Sequence, residues 1–395
     1  MSRPDDPFEG MGLFADLARM LGRQGGAAPW PGALQLAVGI ATDGRSEPNI
    51  DPAQRMAVEQ LSRVADLHVA ALTGLSTSLT GRAVTVQAVT RTRWVSDTLD
   101  AYRPHLERLT GALGSAAAAP QEDLPGEHDD PFAGMLEGML RMFQPMMVSM
   151  TAGSMVGHLG RRCLGSYELP IPRPLSDELL MVLPNVDAFG REWSLPLDDL
   201  RLWVCVGEIA HHAVLGVPHV RRRLEQLLVD YTSGFRSDPS ALEERFSSLE
   251  LSDPHSLGGL QELFSDPEAL LGAIRSPEQA ALLPHLEAVV AVVVGVVDHV
   301  LDEVGAKLVS ECSRLTEALR RRRVQAAASD RFVERLLGLE LTQATYERGE
   351  AFVDGVLDRA GEDGLRLLWS REANLPTPAE VDAPGLWLAR LELES

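Results

Sequence analysis

The sequence predicts a mainly α protein carrying one small β-sheet. Three observations lead there: apolar residues recur at helical spacing through most of the chain, alternating β-branched runs are scarce, and one proline-bounded region after Gly165 holds the apolar run Leu179 to Leu183.

Taken in order, helical periodicity predicts helices over Phe8 to Leu21, Met56 to Leu75, Trp94 to Leu113 and Met135 to Cys163. Gly25 to Gly32 reads as a connector. Gly114 to Pro131 is acidic, low in complexity and punctuated by prolines, so it reads as a flexible linker with little to bury. The expected organisation is an N-terminal helical region over 1–113, the linker over 114–131, and a main region over 132–395 that forms one integrated domain with the first helices. Seven of the twelve methionines lie between Met135 and Met155, where Gly153 and Gly157 are four apart. Small residues at that spacing admit a second helix backbone, and core packing explains the methionines.

After Gly165 the texture changes to short proline-bounded segments, and Leu179 to Leu183 reads as a buried strand within a small sheet spanning Leu179 to Pro196. Asp198 or Asp199 is placed to cap a helix through Leu215, which Gly216 and Pro218 close. Further helices are expected over Arg221 to Tyr231, Pro239 to Phe246, Gly258 to Phe264, Glu278 to Ala306, Leu308 to Ala327, Ser329 to Leu339 and Asp354 to Trp369. Within them Ala288 to Val297 is a ten-residue apolar run, about half of the roughly 20 needed to span a bilayer, and reads as core.

Charge excludes one class of partner. With 57 acidic against 36 basic residues the net charge is −21, so nucleic acid and anionic membrane are repelled over most of the surface. Cys163, Cys205 and Cys312 are too few and too scattered for a disulfide framework or a zinc ribbon, and no secretory leader is evident; a cytoplasmic location is expected. The arginine runs Arg221 to Arg223 and Arg320 to Arg323 read as solvated helix faces paired with the surplus acids.

The chemistry sits on the helix beginning near Asp199, which contains Gly207-Glu208-Ile209-Ala210-His211-His212. A zinc-protease helix of HExxH form puts two imidazoles one turn apart with a glutamate as general base. Here Glu208 and His211 comply, and position 207 is glycine.

The flanking residues carry more. Asn185 to Phe189, Trp193 to Pro196, Asp199 to Val204, His211 to Val214 and Val217 to Arg221 resemble the bacterial zincin-like hydrolase family, the type 2 zincin-like metallopeptidases. Met146 to Pro174, Pro48 to Asp51, Leu336 to Gly349 and Leu375 to Pro378 extend the likeness over most of the chain. The resemblance implies a zincin-like fold in which the Asp199–Leu215 helix packs against a later helix around Val294–Asp298. It puts the first zinc-binding histidine at Gly207, the general base at Glu208, the second histidine at His211, a glutamate ligand at Val294 and an outer carboxylate at Asp298.

Two of the three expected ligand positions therefore carry no donor atom, leaving His211 as a vestigial ligand and Glu208 as a vestigial base. Losing a carboxylate and the cation together avoids an uncompensated buried charge. The expected function is that of a member without bound zinc, acting through an unidentified protein partner or an intact relative, with no cofactor. The alternative is an active zinc-dependent hydrolase whose site has moved onto His211, His212, His219, His299 and Asp298. Adjacent helical residues diverge by about 100°, so His211 and His212 cannot share one ion within a regular helix. His212 and His219 also read as structural histidines. Glu208 without metal is expected to face solvent or pair with an arginine.

Overall fold

Local signals start the helices where the chain allows it. Asp51 accepts a hydrogen bond from the Ala53 amide (2.9 Å) ahead of Pro52, and Gly74 ends that helix with φ 67°. Ser276 and Gln279 form a reciprocal capping box ahead of Pro277. The computed structural model describes residues 30–117, 152–235, 276–324 and 334–394. The expected helices at Phe8 to Leu21, Pro239 to Phe246 and Gly258 to Phe264, linker residues 118–131 and most of the methionine cluster lie outside them.

Within the described residues the order is α1 (Trp30–Ala41), α2 (Pro52–Thr73), β1 (Thr85–Val89), α3 (Arg91–Ala117), α4 (152–162), β2 (Glu178–Val182), α5 (Leu183–Glu192), α6 (Leu197–Gly216), α7 (Pro218–Ser233), α8 (Pro277–Leu308), α9 (Cys312–Val324), α10 (Gln343–Arg366), α11 (Pro378–Val381) and α12 (Pro384–Leu393). The architecture is mainly α with a small sheet, and α6 packs against α8.

The sheet corrects part of the sequence reading. β2 covers the apolar run, but its parallel partner is β1, far upstream, in the register Thr85↔Glu178 to Val89↔Val182. A parallel pair needs a crossover, which α3 and α4 occupy. Residues Leu183 to Glu192, expected to extend the sheet, form a helix, because Pro184 suits its first turn and Leu183, Val186 and Phe189 recur at helical spacing on a buried face. The N-cap of α6 is Pro196, so Asp198 and Asp199 lie in its first turn, where the helix dipole favours acids.

Gly153 and Gly157 meet α1: a Cβ on either would press against the backbone carbonyls of Ala33 or Ala37. α8 lies at the centre, against α2, α6, α7 and α10. Ala288 to Val297 is buried throughout. The most apolar 18-residue window of α8 has a mean hydropathy of 2.2, so the helix is long and apolar enough to cross a bilayer by composition, yet 61% of that window is buried inside the fold.

Candidate functional site

Helical geometry sorts the predicted residues. On α6 the positions 204, 207, 208 and 211 share a face, one turn apart, and Gly207, Glu208 and His211 line a cavity of about 130 Å³. Val294 and Asp298, also one turn apart, reach the same cavity from α8. The sequence-predicted positions 207, 208, 211, 294 and 298 are thus together. His212, His219 and His299 are not among them.

Glu208 is buried, and its contacts differ from both expectations for a glutamate without metal. Its Oε2 accepts from the Ser166 amide at 2.7 Å and the Tyr167 amide at 3.1 Å, so it faces neither solvent nor a hydrogen-bonded arginine. The reason is steric as well as polar: residue 165 is glycine, and a Cβ there would overlap the carboxyl. Burial pushes its pKa up to about 8 despite those amides. The acid is therefore held as the neutral form near pH 7.

His211 donates Nδ1–H to the Gly207 carbonyl at 2.9 Å and stacks on Tyr167, ring centroids 5.7 Å apart. That bond leaves Nε2 as the lone-pair nitrogen. Burial drives its pKa down to about 4, so the ring is neutral. His212 points the other way: Nδ1 meets the Tyr167 hydroxyl at 3.0 Å and Nε2 lies 3.6 Å from Asp177. His219 bonds the Leu368 carbonyl, and His299 pairs with Glu362.

Sequence reasoning missed the charged wall. Asp298 takes a bidentate pair from Arg323, both bonds 2.7 Å. Glu168 takes Arg322 at 2.9 and 3.1 Å, and Arg162 lies 3.6 Å from Glu334. The arginine run on α9 is split: Arg320 and Arg321 pair at the surface with Glu350 and Glu317, as a solvated face should, while Arg322 and Arg323 turn into the cavity. The available signal was positional, because four consecutive helical residues sweep round the axis and cannot all face water on a packed helix.

The donor set does not match a tetrahedral zinc site, which needs three protein ligands and an open position. Gly207 and Val294 offer no donor, Glu208 is committed to amides, and Asp298 to Arg323. Among the described residues no three His, Cys, Asp or Glu side chains gather as a metal site.

Comparison with known proteins gives two matches. A family model, zincin-like metallopeptidase, matches residues 29–388. A solved structure from Chloroflexus aurantiacus, described as "a putative hydrolase with a novel fold", superposes with a TM-score of 0.62 at 21% identity, covering 92% of this chain and 98% of that one. At that identity the likeness speaks for the fold. No curated protein matches.

Proposed function

The chain belongs to the zincin-like metallopeptidase family, and from that premise we propose that it keeps the fold without the zinc ion or peptide hydrolysis, and acts in the cytoplasm by binding a protein partner, as a regulator or beside an intact relative. One observation carries the reading. The cavity in which the family's ligands would converge presents one imidazole, His211, and glycine and valine at the other two positions. A single histidine does not hold zinc as a catalytic site does.

Glu208 supports the same reading. A general base has to reach the water it deprotonates, and this carboxyl is turned onto the Ser166 and Tyr167 amides. The other candidate imidazoles, His212, His219 and His299, are each engaged with a different partner, which disfavours a relocated site.

Elemental analysis of the purified protein, with a casein or peptide hydrolysis assay, tests this. The expected outcome is zinc far below one equivalent and no hydrolysis. Space exists to rebuild the site: a Cβ at 207 would meet nothing nearer than the Leu301 methyls, at 3.6 and 3.7 Å. Gly207→His alone is expected to bind zinc weakly, and adding Val294→Glu to complete a three-ligand site. One equivalent of zinc in the wild type, lost on replacing His212, His219 or His299, would overturn the reading in favour of a relocated hydrolase site.

A further inference from the structure

The wall of the cavity carries cations of its own. Each lining carboxylate outside α6 already has a guanidinium: Asp298 has Arg323, Glu168 has Arg322, and Glu334 has Arg162. The Asp298 pair differs from the others in being clamped on two sides. Its guanidinium forks onto both carboxylate oxygens at 2.7 Å and lies over the Tyr346 ring, 4.1 Å from the centroid. A planar cation held by a carboxylate on its edge and an aromatic ring on its face has little freedom to swing away. It also stands in the same cavity lining as Gly207, His211 and Val294.

We propose that Arg323 is the resident cation of this cavity: its guanidinium supplies, beside Asp298, the positive charge that a divalent ion would otherwise supply, and it repels such an ion. This rests on the reading of the cavity as metal-free and goes beyond it, because ligand loss alone and ligand loss with an installed cation make different demands on repair. If only donors are missing, Gly207→His with Val294→Glu restores full affinity. With Arg323 in place, a dication entering the same small cavity meets a fixed like charge at low dielectric and finds Asp298 already committed.

The test compares three full-length chains, all carrying G207H and V294E, with Arg, Lys or Met at 323, titrated with zinc against a chromophoric chelator. The Met chain is expected to bind zinc roughly tenfold tighter than the Arg chain, since one repulsive charge has gone, whereas the Lys chain stays close to the Arg chain because the charge remains. Equal affinity in the Met and Arg chains overturns the proposal. So does a gain in the Lys chain as large as that in the Met chain, because shape and not charge would then be responsible.

Should the doubly rebuilt chains fail to fold, G207H and G207H/R323M carry the test, since both keep the imidazoles at 207 and 211 and differ only at 323. Millimolar zinc is expected to raise the thermal midpoint of G207H/R323M clearly more than that of G207H, since ligand binding to the folded state alone shifts the midpoint. An equal rise in the two chains, or none in either, overturns the proposal. Stoichiometric zinc in the native protein would instead sink the metal-free reading itself, so the two failures are distinguishable.

Discussion

Asp177 and Glu208 are both shut off from solvent, 4% and 6% exposed, yet they settle in opposite charge states. Asp177 lies just under the loop that follows α2, and that loop closes over it. The amides of Leu79, Thr80 and Arg82 and the hydroxyls of Ser78 and Thr80 all donate to its carboxylate, which holds its pKa well below the usual range. Glu208 lies deeper, wedged between α6 and Gly165, with two amides as its donors, and burial prevails. The lesson is one of donor count against depth: five donors near the surface keep a carboxylate charged, and two in the interior do not.

The largest expected effect comes from emptying the better-satisfied site. Asp177→Ala leaves three amides of the 78–82 loop without their acceptor, and urea unfolding is expected to register a loss of roughly 3–5 kcal/mol. A loss below about 1 kcal/mol would mean that water replaces the carboxylate at once, and that the loop is held by something else. Gly165→Ala is next. Its methyl group has to displace the Glu208 carboxyl, an overpacking cost of about 1–3 kcal/mol, and the Gly165→Ala/Glu208→Ala double variant should recover part of it if the clash is with that side chain.

The third prediction is a slope. Glu208 keeps its proton in the fold up to about pH 8, whereas the unfolded chain releases it near 4.5, so this group's contribution to stability falls as pH rises between those values. His211, whose value drops to about 4 in the fold against 6.5, works the other way, costing stability as pH falls from 6.5 towards 4. Of these two groups only Glu208 acts between pH 6.5 and 8. Glu208→Gln is therefore expected to flatten the fall in the urea midpoint across that interval, and an unchanged slope would mean that the glutamate is ionised in the fold. The smallest effect belongs to the surface. Arg321→Ala breaks an exposed pair with Glu317, and its thermal midpoint is expected to reflect less than about 0.5 kcal/mol.

The sequence disclosed unequal parts of this arrangement. The helices α2, α6 and α8 were readable because a long apolar stretch of helical length is a local signal, although the cap expected at Asp198 or Asp199 of α6 falls at Pro196. β1 was not: Thr85 to Val89 is five residues long, and its pairing with β2 depends on a partner roughly ninety positions away that no local pattern encodes. In the cavity, residues 207, 208, 211, 294 and 298 were found through a resemblance, since a glutamate three residues before a histidine is too common to single out. Glu168 was not singled out, and Arg322 and Arg323 were read as part of a solvated face, because a charged residue looks the same in sequence whether it faces water or a buried partner.

The central position of α8 also bears on how the chain is made. Its apolar length emerges from a ribosome before α10, the helix that covers much of it, has been synthesised. The two meet where Gly295 and Gly349 bring their backbones together, too closely for a side chain on either. Until Gln343 to Arg366 has been translated, a segment with the hydropathy of a membrane span stands partly uncovered. The order of synthesis thus makes the C-terminal helices the step that hides this segment from chaperones, proteases and lipid.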